Sequence, residues 1–374
     1  YFPPRRGLKG CRRGLGTKVF YRGGGGEQSP PPRGFARKEG LPMSWKYLLK
    51  RLLIFFITIL VAATLNFLVP RLTPQDPITA VLGAMASKGI VLSDSESVVQ
   101  MYTEAFGLDQ PVIVQYFKYL GNIFFRFDFG YSISYYPNKV LPIILNALPW
   151  TMGLLLIGNL VAFLIGNLLG ALCAWKKTPR FFRGFIYVLM PFSTIPYYVL
   201  ALLLMYLLAI LNPIFPISGA TTAGAAGGFT LAHLQDLAVH AVLPILSVAL
   251  SLIGFWALSM RGIMSTVLGE DYLTYAQARG LRGGRIFYHY GIKNAVLPQY
   301  TAFAIDLGKI MCGSVLVEIL FNYPGVGYVL YNALRTADYF VMQGVIMFII
   351  FTVALATLIM DLIYPKLDPR IQYD

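Results

Sequence analysis

The sequence predicts an all-α integral membrane protein with six transmembrane helices and both termini cytoplasmic. Three observations carry this reading. Of 374 residues, 13% are charged and 56% hydrophobic, and the mean hydropathy is +0.62, whereas soluble domains carry roughly 25% charged residues. Six runs reach the ~20 predominantly apolar residues that a spanning helix needs. Lys and Arg are also unequal between the loops. With residue 43 inside, the inner segments hold fourteen and the outer ones six, five of these in one long loop where the rule is weak.

Residues 1–42 stand apart. They hold ten Gly and six Pro and contribute +8 of the net charge of +14, so the basic balance is partly a tail effect and does not point to nucleic acid. Such a segment cannot bury enough apolar surface to offset its ordering entropy, and disorder is expected. Met43 opens like an ordinary membrane-protein N-terminus. The expectation is that it is the natural start and the upstream part an artefact; a basic tail on anionic lipid is the alternative.

Residues 43–374 form the membrane domain, with runs at about 52–69, 148–175, 184–211, 241–260, 298–320 and 341–364. Pro191 and Pro196 lie inside the third run and predict a kink or local unwinding. The outer segment 71–147 contains a stretch from Ser97 that reads as a helix ended by Gly107. In the next stretch apolar residues recur at 112, 113, 116, 117, 120, 123 and 124, the period of an amphipathic helix on the membrane surface or against the bundle.

Catalytic chemistry finds little to work with. The runs hold Asp306 and Lys309, three residues apart and able to pair on one helix face; Glu318 lies near the outer end of its run and Asp361 near the inner end of the last. A local ion pair and a polar lining of a translocation path both fit Asp306 and Lys309, while a proton relay needs a longer carboxylate series. His233 and His240 read as loop or cap residues, and His289 has no catalytic neighbour. The three cysteines, Cys11, Cys173 and Cys312, suit neither a metal site nor a disulfide framework. No phosphate-binding loop of the Gly-x4-Gly-Lys-Ser/Thr type occurs, so any nucleotide-driven step belongs to another chain. The chain is therefore expected to be no enzyme, with no catalytic residue, metal or cofactor of its own.

The most informative stretch is the inner loop 261–297. It is polar and basic, with Arg279, Arg282, Arg285 and Lys293, and its Gly280–Gly284 cluster predicts helix, turn, helix. Ala276 and Gly280 are placed on one helical face, where small residues let another surface approach closely. Physics alone leaves an ordinary amphipathic connector equally open.

Here the residues resemble a family, the permease subunits of ABC importers in the dipeptide/oligopeptide/nickel group. Ala276-Gln-Ala-Arg-Gly-Leu281 and Asn294-Ala-Val-Leu-Pro298 match that group's loop. Thr274 stands where the generic importer loop has an acidic residue; Glu270 and Asp271 are the nearest carboxylates. Similar stretches are Arg71-Leu-Thr-Pro-Gln-Asp-Pro77, Gly107 to Tyr116 with Asp128-Phe-Gly-Tyr-Ser132, Val317 to Gly327 with Asp338-Tyr339 and Gln343-Gly344, and Asp361 to Arg370. The resemblance covers about Met43 to Tyr373.

The resemblance implies a type I importer fold with a cytoplasmic coupling helix, in a multi-pass protein of a prokaryotic cytoplasmic (inner) membrane. It implies a second homologous permease, two ATPases that bind ATP-Mg, and an extracytoplasmic binding protein delivering peptides, or nickel or another small solute. Ala276, Ala278, Arg279, Gly280, Leu281, Asn294 and Pro298 would form the ATPase-coupling loop, and Asp306, Lys309 and Glu318 are the candidate polar residues of the path. A stand-alone secondary transporter would instead show inverted repeats or intramembrane charge chains, and a membrane enzyme would show a convergent catalytic set.

Overall fold

The computed structural model describes residues 45–72, 100, 103, 109–222, 224, 228, 230–309 and 315–367. The expectations for residues 1–42, for Met43, and for most of the stretch from Ser97 to Gly107 lie outside the described residues, as do Cys11 and Cys312. Every regular element among the described residues is helical.

The core is a pair of long helices, α3 (Val140–Ala174) and α6 (Leu231–Val267). At 1.5 Å per residue each exceeds ~50 Å, more than the ~30 Å of a bilayer's hydrocarbon core. They pack against each other along their length because α3 carries small residues at every fourth position: Gly158, Ala162, Gly166 and Gly170. A Cβ on Gly166 would come within 2.6 Å of the Trp256 Cβ, and one on Gly170 within 2.3 Å of the Ala257 carbonyl. Small residues at this spacing bring helix backbones into close contact in membranes, where burial from water gives no driving force. Trp256, Ala257 and Met260 of α6 are accordingly buried.

Both helices outrun the apolar stretches that predict them. α3 starts at Val140 and takes Pro149 into its interior, and α6 starts at Leu231 with Thr230 as its cap, accepting from the His233 N–H at 3.3 Å. His233 and His240 are thus helical rather than loop residues. His240 is buried, its Nδ1 lying 2.9 Å from the Asp236 carbonyl one turn back. Hydropathy finds the membrane part of a helix and misses the turns that project beyond it.

The other elements surround this pair. α1 (Trp45–Arg71) precedes α2 (Val112–Gly121), which continues as π-helix over Asn122–Arg126. α4 (Arg180–Thr194) and α5 (Tyr197–Met205, continuing as π-helix to Leu211) meet at a bend of 104° at Ile195-Pro196. Pro191 stays inside α4, so the break belongs to Pro196. α7 (Asp271–Ala278), a helical turn (Gly283–Arg285) and a π-helix (Ile286–Ile292) lead into α8 (Lys293–Lys309). α9 (Val315–Leu320), α10 (Val326–Arg335) and α11 (Tyr339–Leu367) complete the chain.

Among the described residues four helices are long and apolar enough to cross a membrane, α1, α3, α6 and α11, and the bent pair makes a fifth. The run expected at 298–320 falls on α8 and α9, with 310–314 between them outside the described residues. α1 and α11 are joined by a reciprocal pair: Asn66 Nδ2 donates to the Gln343 carbonyl at 2.8 Å and Gln343 Nε2 to the Asn66 carbonyl at 3.1 Å.

Candidate functional site

The 271–298 segment is a small packed unit. Leu273 and Ala276 of α7 are buried against Ile286, with Trp175, Val267, Leu268, Leu281 and Tyr290 around them. The helix ends in a Schellman turn: the Gly280 N–H bonds the Gln277 carbonyl at 2.9 Å and the Leu281 N–H the Ala276 carbonyl at 3.4 Å. Gly280 has φ +72°, and a Cβ there would meet nothing within 4 Å. Handedness, not space, requires the glycine. Asn294 closes the unit, its Nδ2 donating to the Tyr272 hydroxyl at 3.0 Å and the Tyr290 carbonyl at 2.9 Å. Beneath, Phe287 packs with Met260, Met264 and Ala295.

The predicted loop residues therefore separate into two sets. Ala276, Gly280, Leu281 and Asn294 hold the unit together. Ala278 and Arg279 are exposed, next to Tyr275 at 68% exposure. Pro298 lies exposed in α8. The single face shared by Ala276 and Gly280 is not formed. Arg279 already leaves helical geometry, at φ −75° and ψ 3°, so Gly280 lies past the helix end while Ala276 faces this chain's own core.

The polar residues of the bundle are also sorted. Asp306 on α8 accepts from Asn159 Nδ2 of α3 at 2.7 Å, and Asn159 is buried. The Lys309 side chain, and with it the expected pairing to Asp306, lies outside the described residues. One α3 turn further, Phe163 packs with Phe303 at 4.4 Å between ring centroids, Trp256 at 5.0 Å and Tyr300 at 5.8 Å.

Glu318 is not on an open face. It is fully buried, and its Oε2 accepts from the Gly327 N–H at 2.7 Å at the start of α10. Thr151 of α3 bonds the same carboxylate and accepts from the Val326 N–H at 2.8 Å. A carboxylate at a helix N-terminus meets unpaired N–H donors and the positive end of the dipole. Glu318 thus closes the 321–327 turn.

At the end of the molecule opposite α7, α2 is moored to α1. The Tyr116 hydroxyl lies 2.7 Å from the Thr64 hydroxyl, and Asn66 donates to the Tyr119 hydroxyl at 3.1 Å. Burial pushes the Tyr119 phenol up to about 12, against the hydrogen bond from Asn66. Burial likewise lowers Arg71, whose guanidinium sits 3.5 Å over the Phe67 ring and donates to Gln115 at 2.6 Å. Val112, Ile113 and Phe117 face outward, as the apolar period requires of a surface helix. Nearby, buried Asp338 caps α11 by accepting from the Val341 N–H at 3.2 Å, and it also accepts from the Ser132 hydroxyl and the Ser134 N–H.

Comparison with known proteins gives this arrangement a setting. The family model for the binding-protein-dependent transport system inner membrane component matches residues 166–373, and its N-terminal counterpart matches residues 44–155. The chain belongs to that family. It is similar to the oligopeptide transport system permease protein AppB of Bacillus subtilis, 29% identical over 327 residues, covering 87% of this chain and 99% of the relative. It is also similar to the di/tripeptide transport system permease protein DppB of Pseudomonas aeruginosa, 28% identical over 343 residues, covering 87% and 98%. This transport component is a multi-pass membrane protein.

Sequence reasoning missed three of its supports. The Gly158 to Gly170 stripe was readable as four-residue spacing. The Arg51–Asp361 ion pair, 2.7 Å long between the first and last helices, joins residues 310 positions apart and left no local signal. The Asn66–Gln343 pair is equally remote.

Proposed function

We propose that this chain is the permease subunit of an ATP-driven importer and forms half of a translocation path for di- and oligopeptides. Its partners are a second homologous permease, two ATPases that bind ATP-Mg, and an extracytoplasmic binding protein. Six helices cross the membrane, α4–α5 counting as one crossing and α8–α9 as another, with both termini and the 261–297 loop cytoplasmic. The names of the Bacillus and Pseudomonas relatives support the peptide assignment.

The observation that carries this reading is the α7 unit. It is fastened to its own chain by Leu273, Ala276 and Asn294, yet it leaves Tyr275, Ala278 and Arg279 uncovered. A helix that is rigid below and free above passes an applied displacement into α6 and α8 rather than absorbing it. Those are the helices on which Asp306 and the aromatic cluster around Phe163 sit or pack. Asn159 with Asp306, and Lys309 one turn on, are the polar residues assigned to the path.

In the reconstituted transporter Gly280→Val removes the left-handed turn. Peptide uptake should fall about tenfold or more while ATP hydrolysis continues, a loss in the range of ordinary coupling energies. The chain should still insert. Uptake at the parent rate would overturn the coupling role. A nickel reading predicts that nickel, not peptide, raises the melting temperature of the partner binding protein.

A further inference from the structure

Between α1 and α11 runs a groove of about 410 Å³ that the transport reading does not use. Its walls are Ile54, Phe55 and Thr58 on one side and Ile349, Ile350, Val353, Thr357 and Leu358 on the other, so it is almost wholly apolar. One end is closed by charge. Arg51 Nη1 donates to Asp361 Oδ2 at 2.7 Å, and the Tyr47 hydroxyl donates to the Asp361 carbonyl at 3.0 Å. Both members of the ion pair are about one third exposed, at 35% and 29%.

The dimensions fit a lipid chain. From Ile349 to Asp361 is twelve residues of helix, ~18 Å, about one leaflet of a ~30 Å hydrocarbon core. The charge fits a phosphate. Arg51 directs one of its five N–H donors to Asp361, which leaves a planar fork for a second anion. Lys46 and Lys50 are exposed on the first turns of α1, within five residues of Arg51, and add positive charge at that end of the helix.

We propose that this groove is a binding site for one anionic phospholipid, its acyl chain against Ile54, Ile350 and Val353 and its phosphate on Arg51 and Lys50. The lipid would join the first and last helices where side chains alone leave a gap. The site does not depend on which solute the transporter carries.

Native mass spectrometry of the full chain within the assembled transporter tests this. The probes are palmitoyl-oleoyl phosphatidylglycerol and the corresponding phosphatidylcholine. One phosphatidylglycerol per chain should be retained and phosphatidylcholine should not. Lys50→Gln should weaken retention about tenfold, the worth of one charge-assisted hydrogen bond. Thr357→Trp, at an exposed position on the groove wall, should weaken it as much while leaving every cation in place. Equal retention of both lipids, or full retention by Thr357→Trp, would overturn the site. So would complete absence of bound lipid, the result expected if a helix of the second permease fills the groove.

Discussion

Two helices of this chain end in the same turn for opposite purposes. α7 ends at Gly280, φ +72°, with the Leu281 N–H on the Ala276 carbonyl; α9 ends at Asn322, φ +48°, with the Tyr323 N–H on the Glu318 carbonyl at 2.8 Å. Both are Schellman turns, and both use a residue type that tolerates left-handed backbone. Around Gly280 there is open space. Around Asn322 the chain closes inward: Phe321 and Tyr323 are buried, and the Glu318 carboxylate fills the turn. The first turn leaves its helix end exposed, and the second fixes the start of α10 inside the chain.

The glycines make the difference measurable. A Cβ on Gly325 would lie 2.2 Å from Glu318 Oε2, and one on Gly327 would lie 2.6 Å from the Val315 Cα. These two are glycines because there is no room. Gly327→Ala meets backbone that cannot rotate away, and we expect the largest loss of the series, about 1–3 kcal/mol or more. It should read out as a lower melting temperature in detergent and less inserted protein. A neutral Gly327→Ala would mean that the turn is as open as that of Gly280.

Glu318 comes next. Glu318→Ala leaves the Gly327 N–H and the Thr151 hydroxyl buried without their acceptor, at about 1–3 kcal/mol. Glu318→Gln keeps one acceptor oxygen and should recover more than half of that loss in the same melt. If Glu318 instead lined the path, Gln and Ala would alter peptide uptake at unchanged melting temperature.

How far the sequence disclosed these two sites follows from what holds each. The α7 unit is local: its glycine cluster, its apolar positions and Asn294 lie within thirty residues, so pattern reading located it. Ala276 faces this chain's own core because the helix ends at Ala278, two residues before a face shared with Gly280 could form. The Glu318 bracket depends on Thr151, more than 160 positions earlier, and no periodicity reports a contact of that kind. The bundle divides the same way. Hydropathy placed the apolar runs; the ends of α3 and α6, and the inter-helix pairs that register α1 on α11, are tertiary.

Exchanging the two turn residues tests whether the backbone is really shared. Gly280→Asn keeps a residue that enters the left-handed region, and the stability cost should stay under about 1 kcal/mol. Uptake should remain near the parent rate, in contrast to Gly280→Val. If Asn fails as Val does, the position needs a bare backbone because a partner surface touches it. That outcome would move Gly280 from the holding set to the contacting set.

The smallest effect belongs to an ion pair that is neither buried nor a turn. Lys139 Nζ lies 3.0 Å from Asp128 Oδ2, with Lys139 exposed and Asp128 half-buried. Burial raises the Asp128 carboxyl, but the hydrogen bonds from Lys139 and the Gly130 N–H, with the charges of Lys139 and Arg126, outweigh it and leave the group below its ordinary 3.8. Lys139 is raised above its ordinary 10.5, first by its hydrogen bond to Asp128 and then by that carboxylate's charge. A depressed carboxyl stabilises the fold above 3.8 and loses that contribution as pH falls through its lower folded value. The raised amine contributes below 10.5 and loses its share as pH climbs past its folded value. Between these limits the pair is constant, so a melting curve of Asp128→Asn against parent should differ little and evenly from pH 5 to 9. The gap should narrow in acid, and again in strong base as Lys139 deprotonates. A large gap at neutral pH would show that the segment at 128–139 is held by charge, and that burial does not rank these sites.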